Sequence, residues 1–299
     1  FLVNKLSKMK SNTALGSRIA EVHNGSSLFT GDAGQGESNI RRWIIENDWL
    51  EAIVALPENM FYNTGIATYI WLLSNRKSSE RKGKVQLIDA SGWFVPLRKN
   101  LGKKNCEFSE GQIQQIADLI VNPRETEQSK IFPNEAFGYH KITVERPLKL
   151  KDIDPEKAYS PKEIKALVAE GKADENGIPV IKKIHKSGKA DPLHGLFGRT
   201  IGGKKCVVEY EPDTNLRDTE QVPLLEDGSI EAFFKREVLP YVGDAWVDES
   251  KNQIGYEISF TRYFYKPAQM RTLEEIMADI RDIEKETDGL LNEIVGDGK

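Results

Sequence analysis

Leu50-Glu51-Ala52-Ile53-Val54-Ala55-Leu56-Pro57 is seven nearly continuous apolar residues stopped by a proline. A run this short, β-tolerant and closed by a residue with no N–H predicts a strand buried on both faces rather than a helix. Ala67-Thr68-Tyr69-Ile70-Trp71-Leu72-Leu73 and Val85-Gln86-Leu87-Ile88-Asp89 repeat the pattern downstream. Upstream, Arg18-Ile19-Ala20-Glu21-Val22-His23 alternates as a strand does. Ser38 is the expected N-cap of a helix through Arg41, Trp43, Ile44 and Ile45 that ends near Asn47-Asp48. Strand, helix, strand at this spacing predicts a βαβ unit and a largely parallel sheet covered by helices. The link at residues 57–66 is too short for a helical crossover, so one strand should run antiparallel to its neighbour.

The 299 residues suffice for one large domain or two ordinary ones, at roughly 100–200 residues each. Apolar residues make up 39%, enough for a core, which excludes a wholly disordered chain. No apolar run approaches the ~20 residues of a membrane-spanning helix, so no membrane partner is expected, and the chain reads as cytoplasmic. The net charge of −4 leaves no overall basic footprint, so nucleic-acid binding must come from a local patch or a partner. Cys106 and Cys206 lie far apart without neighbouring Cys or His. They read as reduced thiols, and no metal site is expected. Phe1-Leu2-Val3-Asn4-Lys5-Leu6 opens in mid-pattern and reads as the tail of an element that begins earlier.

Beyond Ser91 the character changes. Residues 108–121 form an amphipathic helix with Ile113, Ile116, Ala117 and Ile120 on one face. A strand is expected from Tyr139, a helix opened by Ser160-Pro161, a strand from Cys206, a helix from Ser229 to a stop at Pro240, and an alternating strand-like stretch at residues 256–264. The basic cluster at residues 182–189 reads as a solvated loop. The clearest helix is the last, with Thr272 and Glu275 as a capping box. Leu273, Ile276, Ile280, Ile283, Leu290 and Ile294 form a heptad seam about three heptads long. That seam serves either packing on its own domain or pairing with a helix of another protein.

Candidate chemistry is sparse. Residues 31–38 imitate a phosphate-cradling loop by position but lack the Lys-Ser/Thr pair and the glycine spacing. Asp32 and Glu37 would also repel phosphate, so a surface loop is expected. His23, His140, His185 and His194 show no catalytic or ligand spacing. His23 alone stands at the strand end that borders the crevice of an open α/β sheet. Phe61-Tyr62-Asn63-Thr64 occupies the tight link between two buried strands. The aromatics either plug the core or offer faces for a base, with Asn63 and Thr64 as hydrogen-bonding groups.

Several blocks, in order, resemble the modification (M) subunit of type I restriction-modification systems, a family of adenine-N6 DNA methyltransferases. They are Ser26-Ser27-Leu28-Phe29-Thr30-Gly31, Glu37-Ser38-Asn39-Ile40-Arg41-Arg42-Trp43, and residues 50–57 continuing into Asn59-Met60-Phe61-Tyr62-Asn63-Thr64-Gly65-Ile66-Ala67-Thr68-Tyr69-Ile70-Trp71. Residues 208–223, with Leu216-Arg217-Asp218-Thr219-Glu220, are similar to the family's C-terminal region. So are residues 238–240, Ala245-Trp246, Gly255-Tyr256-Glu257-Ile258 and Phe260. The family's glycine-rich cofactor loop and its Asn-Pro-Pro-Phe/Tyr motif occur nowhere in these residues.

The resemblance implies an α/β chain: the C-terminal half of a Rossmann-like methyltransferase sheet (1–105), an α+β C-terminal region (106–270) and a terminal coiled-coil-type helix (271–299). It implies methyl transfer from S-adenosylmethionine to adenine N6 in DNA by the intact subunit, with the 299 residues alone binding no cofactor and inactive. It places Phe61, Tyr62, Asn63 and Thr64 near the extruded base. It also implies a specificity (S) subunit on the terminal helix and a restriction (R) subunit in the full complex. An absent first half of the sheet would leave an unpaired strand edge and invite self-association. The alternative is a non-enzymatic adaptor that works through the terminal helix.

Overall fold

The computed structural model describes residues 1–265 and 271–295, which divide into two compact units, Phe1–Phe260 and Thr261–Lys299. The first unit begins with a short helix, α1 (Leu2–Leu6), and is built on a five-stranded sheet. Its strands are β1 (Arg18–Asn24), β2 (Leu50–Leu56), β3 (Thr68–Ser74), β4 (Lys84–Asp89) and β7 (Ser129–Pro133), in the order β1-β3-β2-β4-β7. All seven residues of β2 are buried, as its unbroken apolar run requires. The short helix α2 (Ser26–Phe29) and the longer α3 (Gly36–Glu46) carry the chain from β1 to β2.

The sheet is mixed, not largely parallel. Only β2 and β4 pair in parallel, while β1 with β3, β2 with β3 and β4 with β7 are antiparallel. The reason is the ten-residue link after Pro57. It returns the chain at once, and β3 slides between β1 and β2, which run the same way on either side of it. The antiparallel step expected from that link is present. No strand among the described residues pairs the other edge of β1.

Helix α4 (Glu110–Val121) covers one face, packing Ile116 and Leu119 on Val54, Leu56, Ile88 and Ala90. Ser109 and Gln112 form its capping box. Ile113, expected on the buried face, is exposed, and Leu119 takes that role. Between β4 and α4 lies a hairpin, β5 (Val95–Leu101) and β6 (Lys104–Glu107).

The second sheet centres on β8 (Gly138–Glu145). A two-stranded ladder, β9 (Lys149–Leu150) with β10 (Ile178–Pro179), and helix α5 (Pro161–Ala169) follow it. The three-stranded sheet β11 (Ile181–His185), β12 (Phe197–Ile201) and β13 (Lys204–Tyr210) completes an inserted lobe. The lobe's neck is the Pro147–Pro212 bridge, with the Leu148 N–H donating to the Glu211 carbonyl at 2.8 Å. Ser160 caps α5 through Glu163, with Pro161 in the first turn. β14 (Asp218–Pro223) then pairs one edge of β8. After α6 (Ser229–Phe233), β15 (Trp246–Val247) and β16 (Gln253–Tyr256) share the other edge. The alternating stretch at 256–264 is not one strand. It closes β16 and enters α7 (Phe260–Phe264).

Two buried polar knots join these layers. Arg41, 3% exposed, donates from Nε to the Tyr256 carbonyl at 2.6 Å, from Nη1 to Ser27 at 3.2 Å and from Nη2 to Gly31 at 3.5 Å. Ser38 is not the N-cap of α3. Gln35 holds that position, and the fully buried Ser38 accepts from the Tyr256 N–H at 3.0 Å. At the other end of α3, Asp48 accepts from Lys77 Nζ at 2.6 Å, Asn134 Nδ2 at 3.0 Å and the Gly83 N–H at 3.0 Å. Burial pushes the Asp48 carboxyl up, but these hydrogen bonds outweigh it and hold the group below the usual Asp value.

In the second unit, α8 (Leu273–Val295) opens with the expected box. The Thr272 N–H donates to Glu275 Oε2 at 2.8 Å, and the Glu275 N–H donates to Thr272 Oγ1 at 3.2 Å. Leu273, Ile276, Ile280 and Ile283 are exposed. The side chains of Leu290 and Ile294 lie outside the described residues.

Arg41→Ala leaves three carbonyls without their donor, the Tyr256 one buried, and we expect a loss of about 2–4 kcal/mol in urea unfolding. Arg41→Lys, which cannot reproduce the fork, should recover less than half of it. A loss under about 1 kcal/mol would show that the knot is dispensable. The depressed Asp48 carboxyl contributes stability above its unfolded value of about 3.9, and that contribution disappears as pH falls through the lower folded value. Between about pH 5 and pH 3 the urea midpoint of the parent chain should therefore fall more steeply than that of Asp48→Asn. Equal slopes would place the titration elsewhere.

Candidate functional site

The strands that run together, β1, β2 and β4, end at Asn24, Leu56 and Asp89, and in open α/β sheets the crevice beyond such ends takes ligands. Residues 57–66 form one wall of it. Pro57 stops β2. Asn59 and Asn63 take left-handed conformations, φ 56° and 54°, which Asn tolerates better than other side chains carrying a Cβ. The Thr64 N–H donates to the Phe61 carbonyl at 3.2 Å, closing a four-residue turn with Tyr62 and Asn63 at its tip. Phe61 is 38% exposed and Tyr62 69%, so neither ring plugs the core. Phe61, Tyr62, Asn63 and Thr64 thus share one exposed turn of aromatic and amide groups.

The β5–β6 hairpin buttresses this turn. The Asn105 N–H donates to the Asn59 carbonyl at 3.1 Å, Lys104 Nζ to Met60 at 3.1 Å and Cys106 Sγ to Glu58 at 3.2 Å. Burial pushes the Cys106 thiol up, and both Cys106 and Cys206 are free. At the hairpin tip Gly102 has φ +60°. A Cβ there would sit 2.3 Å from Asn63 Oδ1 and 3.1 Å from Tyr62 Cε2, so the two tips touch only because Gly102 has none.

At the start of β3, opposite the ends of β1 and β2, Thr68 is buried, and its hydroxyl has no hydrogen-bond partner among the described residues. The Tyr69 hydroxyl is pushed up by burial, then by the charges of Asp89 and Glu58. Its ring lies 5.1 Å from that of Phe260. The His23 ring packs edge-on against Trp71 at 5.7 Å, and burial pushes its pKa down. His185 pairs with Glu209, and His194 with Asp191 at 2.8 Å and Glu249 at 3.2 Å, both outside this sheet. Among the described residues no group of three or more His, Cys, Asp or Glu is arranged to hold a metal ion.

The Gly31–Ser38 segment is spent on packing. Asp32 pairs with Lys141, a Cβ on Gly34 would meet Gln253 Oε1 at 2.8 Å, and the Gly31 carbonyl accepts from Arg41. The sequence reading passed over the hairpin. Its signal was the interleaving of Phe94, Arg98, Lys99, Lys103 and Lys104, a basic run in an acidic chain.

The N-6 DNA Methylase family profile matches residues 6–137, the span of the first sheet and this turn. Over those residues the chain is similar to N-6 DNA methylases. A type I restriction enzyme MjaVII methylase subunit of Methanocaldococcus jannaschii is 35% identical over 107 residues, covering 35% of this chain and 17% of that protein. A type I restriction enzyme HindI methylase subunit of Haemophilus influenzae is 48% identical over 84 residues, 28% of this chain and 18% of its own. The matching stretch therefore spans less than a fifth of either relative. A solved type I restriction-modification methyltransferase subunit from Streptococcus thermophilus aligns over 40% of this chain and 24% of its own, at 24% identity and a TM-score of 0.35.

Gly102→Ala should force the hairpin off the turn, costing about 1–2 kcal/mol from the left-handed φ and the overlap together. Hydrogen exchange should show faster loss of the Thr64 and Asn105 amides. Adding Asn63→Gly removes the nearest overlapping atom and should restore part of both effects. Unchanged exchange in Gly102→Ala would show that the tips are independent.

Proposed function

We propose that this chain supplies the later strands of the sheet and part of the target-base wall of a type I modification subunit, which transfers a methyl group from S-adenosylmethionine to adenine N6 in DNA. The carrying observation is the exposed Phe61–Thr64 turn, held at the crevice edge inside the methylase segment. A base taken out of the duplex gains most from an aromatic face and from groups that hydrogen-bond its edge. Tyr62 or Phe61 supplies the face, and the Asn63 amide the edge contact. In this reading the turn's role is to seat and orient the base.

The motifs that would hold the methyl donor are absent from these residues, and the Gly31–Ser38 loop does not replace them. By itself the chain is inactive in this reading. The exposed seam of α8 is the surface for a specificity subunit, with a restriction subunit completing the assembly. The open edge of β1 is where the rest of the sheet, or a second copy of this chain, adds.

The test is N6-methyladenine formation, read by mass spectrometry, with the protein purified from its native source together with its associated subunits. The parent assembly should methylate DNA. Phe61→Ala with Tyr62→Ala should lower the rate about 100-fold or more, the usual scale for losing orientation of the reacting group. Ile276→Asp with Ile280→Asp should release the specificity subunit on gel filtration. The 299 residues alone should transfer nothing. An assembly that makes no N6-methyladenine, or an active isolated chain, overturns the reading.

A further inference from the structure

The β5–β6 hairpin does more than buttress the turn. Residues 93–107 carry Arg98, Lys99, Lys103 and Lys104 against the single acid Glu107, in a chain whose net charge is −4. The ladder pairs Val95 with Glu107, Pro96 with Cys106 and Leu101 with Lys104, and its register breaks between Pro96 and Leu101. Four residues, 97–100, therefore bulge opposite Asn105 alone, and a bulge re-aims the side chains it carries. Arg98 and Lys99 stand on this bulge, and Lys103 at the tip. All three are exposed, and none has a carboxylate partner among the described residues. On the first sheet and its helices, by contrast, Lys5 pairs with Glu21, Arg18 with Glu51 and Arg42 with Glu46.

Three exposed like charges on one bulge raise the local positive potential and attract anions. Exposed Phe94, Val95, Leu101 and Tyr62 lie alongside, so the patch mixes apolar and cationic groups. The competing basic surface, in the lobe beyond the Pro147–Pro212 neck, is partly neutralised, with Lys182 paired to Glu211 and His185 to Glu209. We infer that Arg98, Lys99 and Lys103 grip backbone phosphates of duplex DNA next to the base seated on the Phe61–Thr64 turn. The contact between Gly102 and Asn63 sets the spacing between phosphate grip and base. The inference rests on the DNA-methylating reading above and adds the arm that holds the duplex.

The experiment is fluorescence-anisotropy binding of the full 299-residue chain to a fluorescein-labelled duplex of about 20 base pairs, over about 50–300 mM NaCl. Each phosphate contact contributes about 0.9 to the slope of log affinity against log salt. Arg98→Gln/Lys99→Gln/Lys103→Gln should therefore lower the slope by about 2–3 and weaken binding about tenfold or more at the low-salt end. Lys183→Gln/Lys204→Gln/Lys205→Gln, in the lobe, should leave both nearly unchanged. Parent-like binding by the hairpin variant overturns the inference while leaving the methylation reading standing, because N6-methyladenine formation tests that separately. Equal losses in the two variants overturn it in favour of diffuse attraction. A parent chain that binds no duplex at about 50 mM salt overturns it outright.

Discussion

The guanidinium of Arg41 is the constraint on which the first unit depends. A buried cation must be fully hydrogen-bonded or it destabilises the fold, and here its acceptors come from two distant parts of the chain. Ser27 and Gly31 belong to the loop after β1, and Tyr256 to the last strand of the second sheet. Ser38, one turn earlier on the same helix, takes the Tyr256 N–H, and the Ile258 N–H donates to the Leu28 carbonyl at 3.0 Å. One helix face thus fastens the edge of the second sheet to the loop that borders the crevice. Burial pushes the Arg41 pKa down, yet a guanidinium is so strong a base that the group stays charged at physiological pH. The fastening is therefore insensitive to pH, unlike the Asp48 knot at the other end of α3.

The crevice geometry follows from the short return after β2. A long crossover would have placed a helix there. Ten residues leave room only for a turn, and two asparagines in left-handed conformations make it tight enough to project Tyr62 outward. The hairpin that braces this turn is itself held by backbone acceptors at Glu58, Asn59 and Met60, so three hydrogen bonds tie the two together. Bracing of this kind suits a surface that must meet a base and a phosphate at a set separation.

Much of the element content was legible along the chain because it rests on local signals. The continuous apolar run of β2, the capping boxes at Ser109, Ser160 and Thr272, and the proline-opened α5 all depend on residues within four positions of one another. Misreadings came where a residue is used by a distant partner. Ser38 looks like an N-cap by type and position, but its hydroxyl is claimed by Tyr256. Ile113 fits the helical stripe, but Ile116, Leu119 and Ile120 make the contact with the sheet and Ile113 is left in solvent. Residues 256–264 alternate as a strand, but β8 is already fully paired along that edge by Tyr256, and the chain coils away.

By itself, then, the sequence determined strands β1 to β4, helices α3, α4, α5 and α8, and that the 57–66 link reverses the chain. These follow from side-chain periodicity and backbone chemistry, which act over a few residues. Only the tertiary structure decided that β3 lies between β1 and β2, that Phe61 and Tyr62 face outward, and that a basic hairpin stands beside them. Those outcomes depend on which strand edges are free to pair and on where buried polar groups find partners, and such partners lie as far as 218 residues away in the chain.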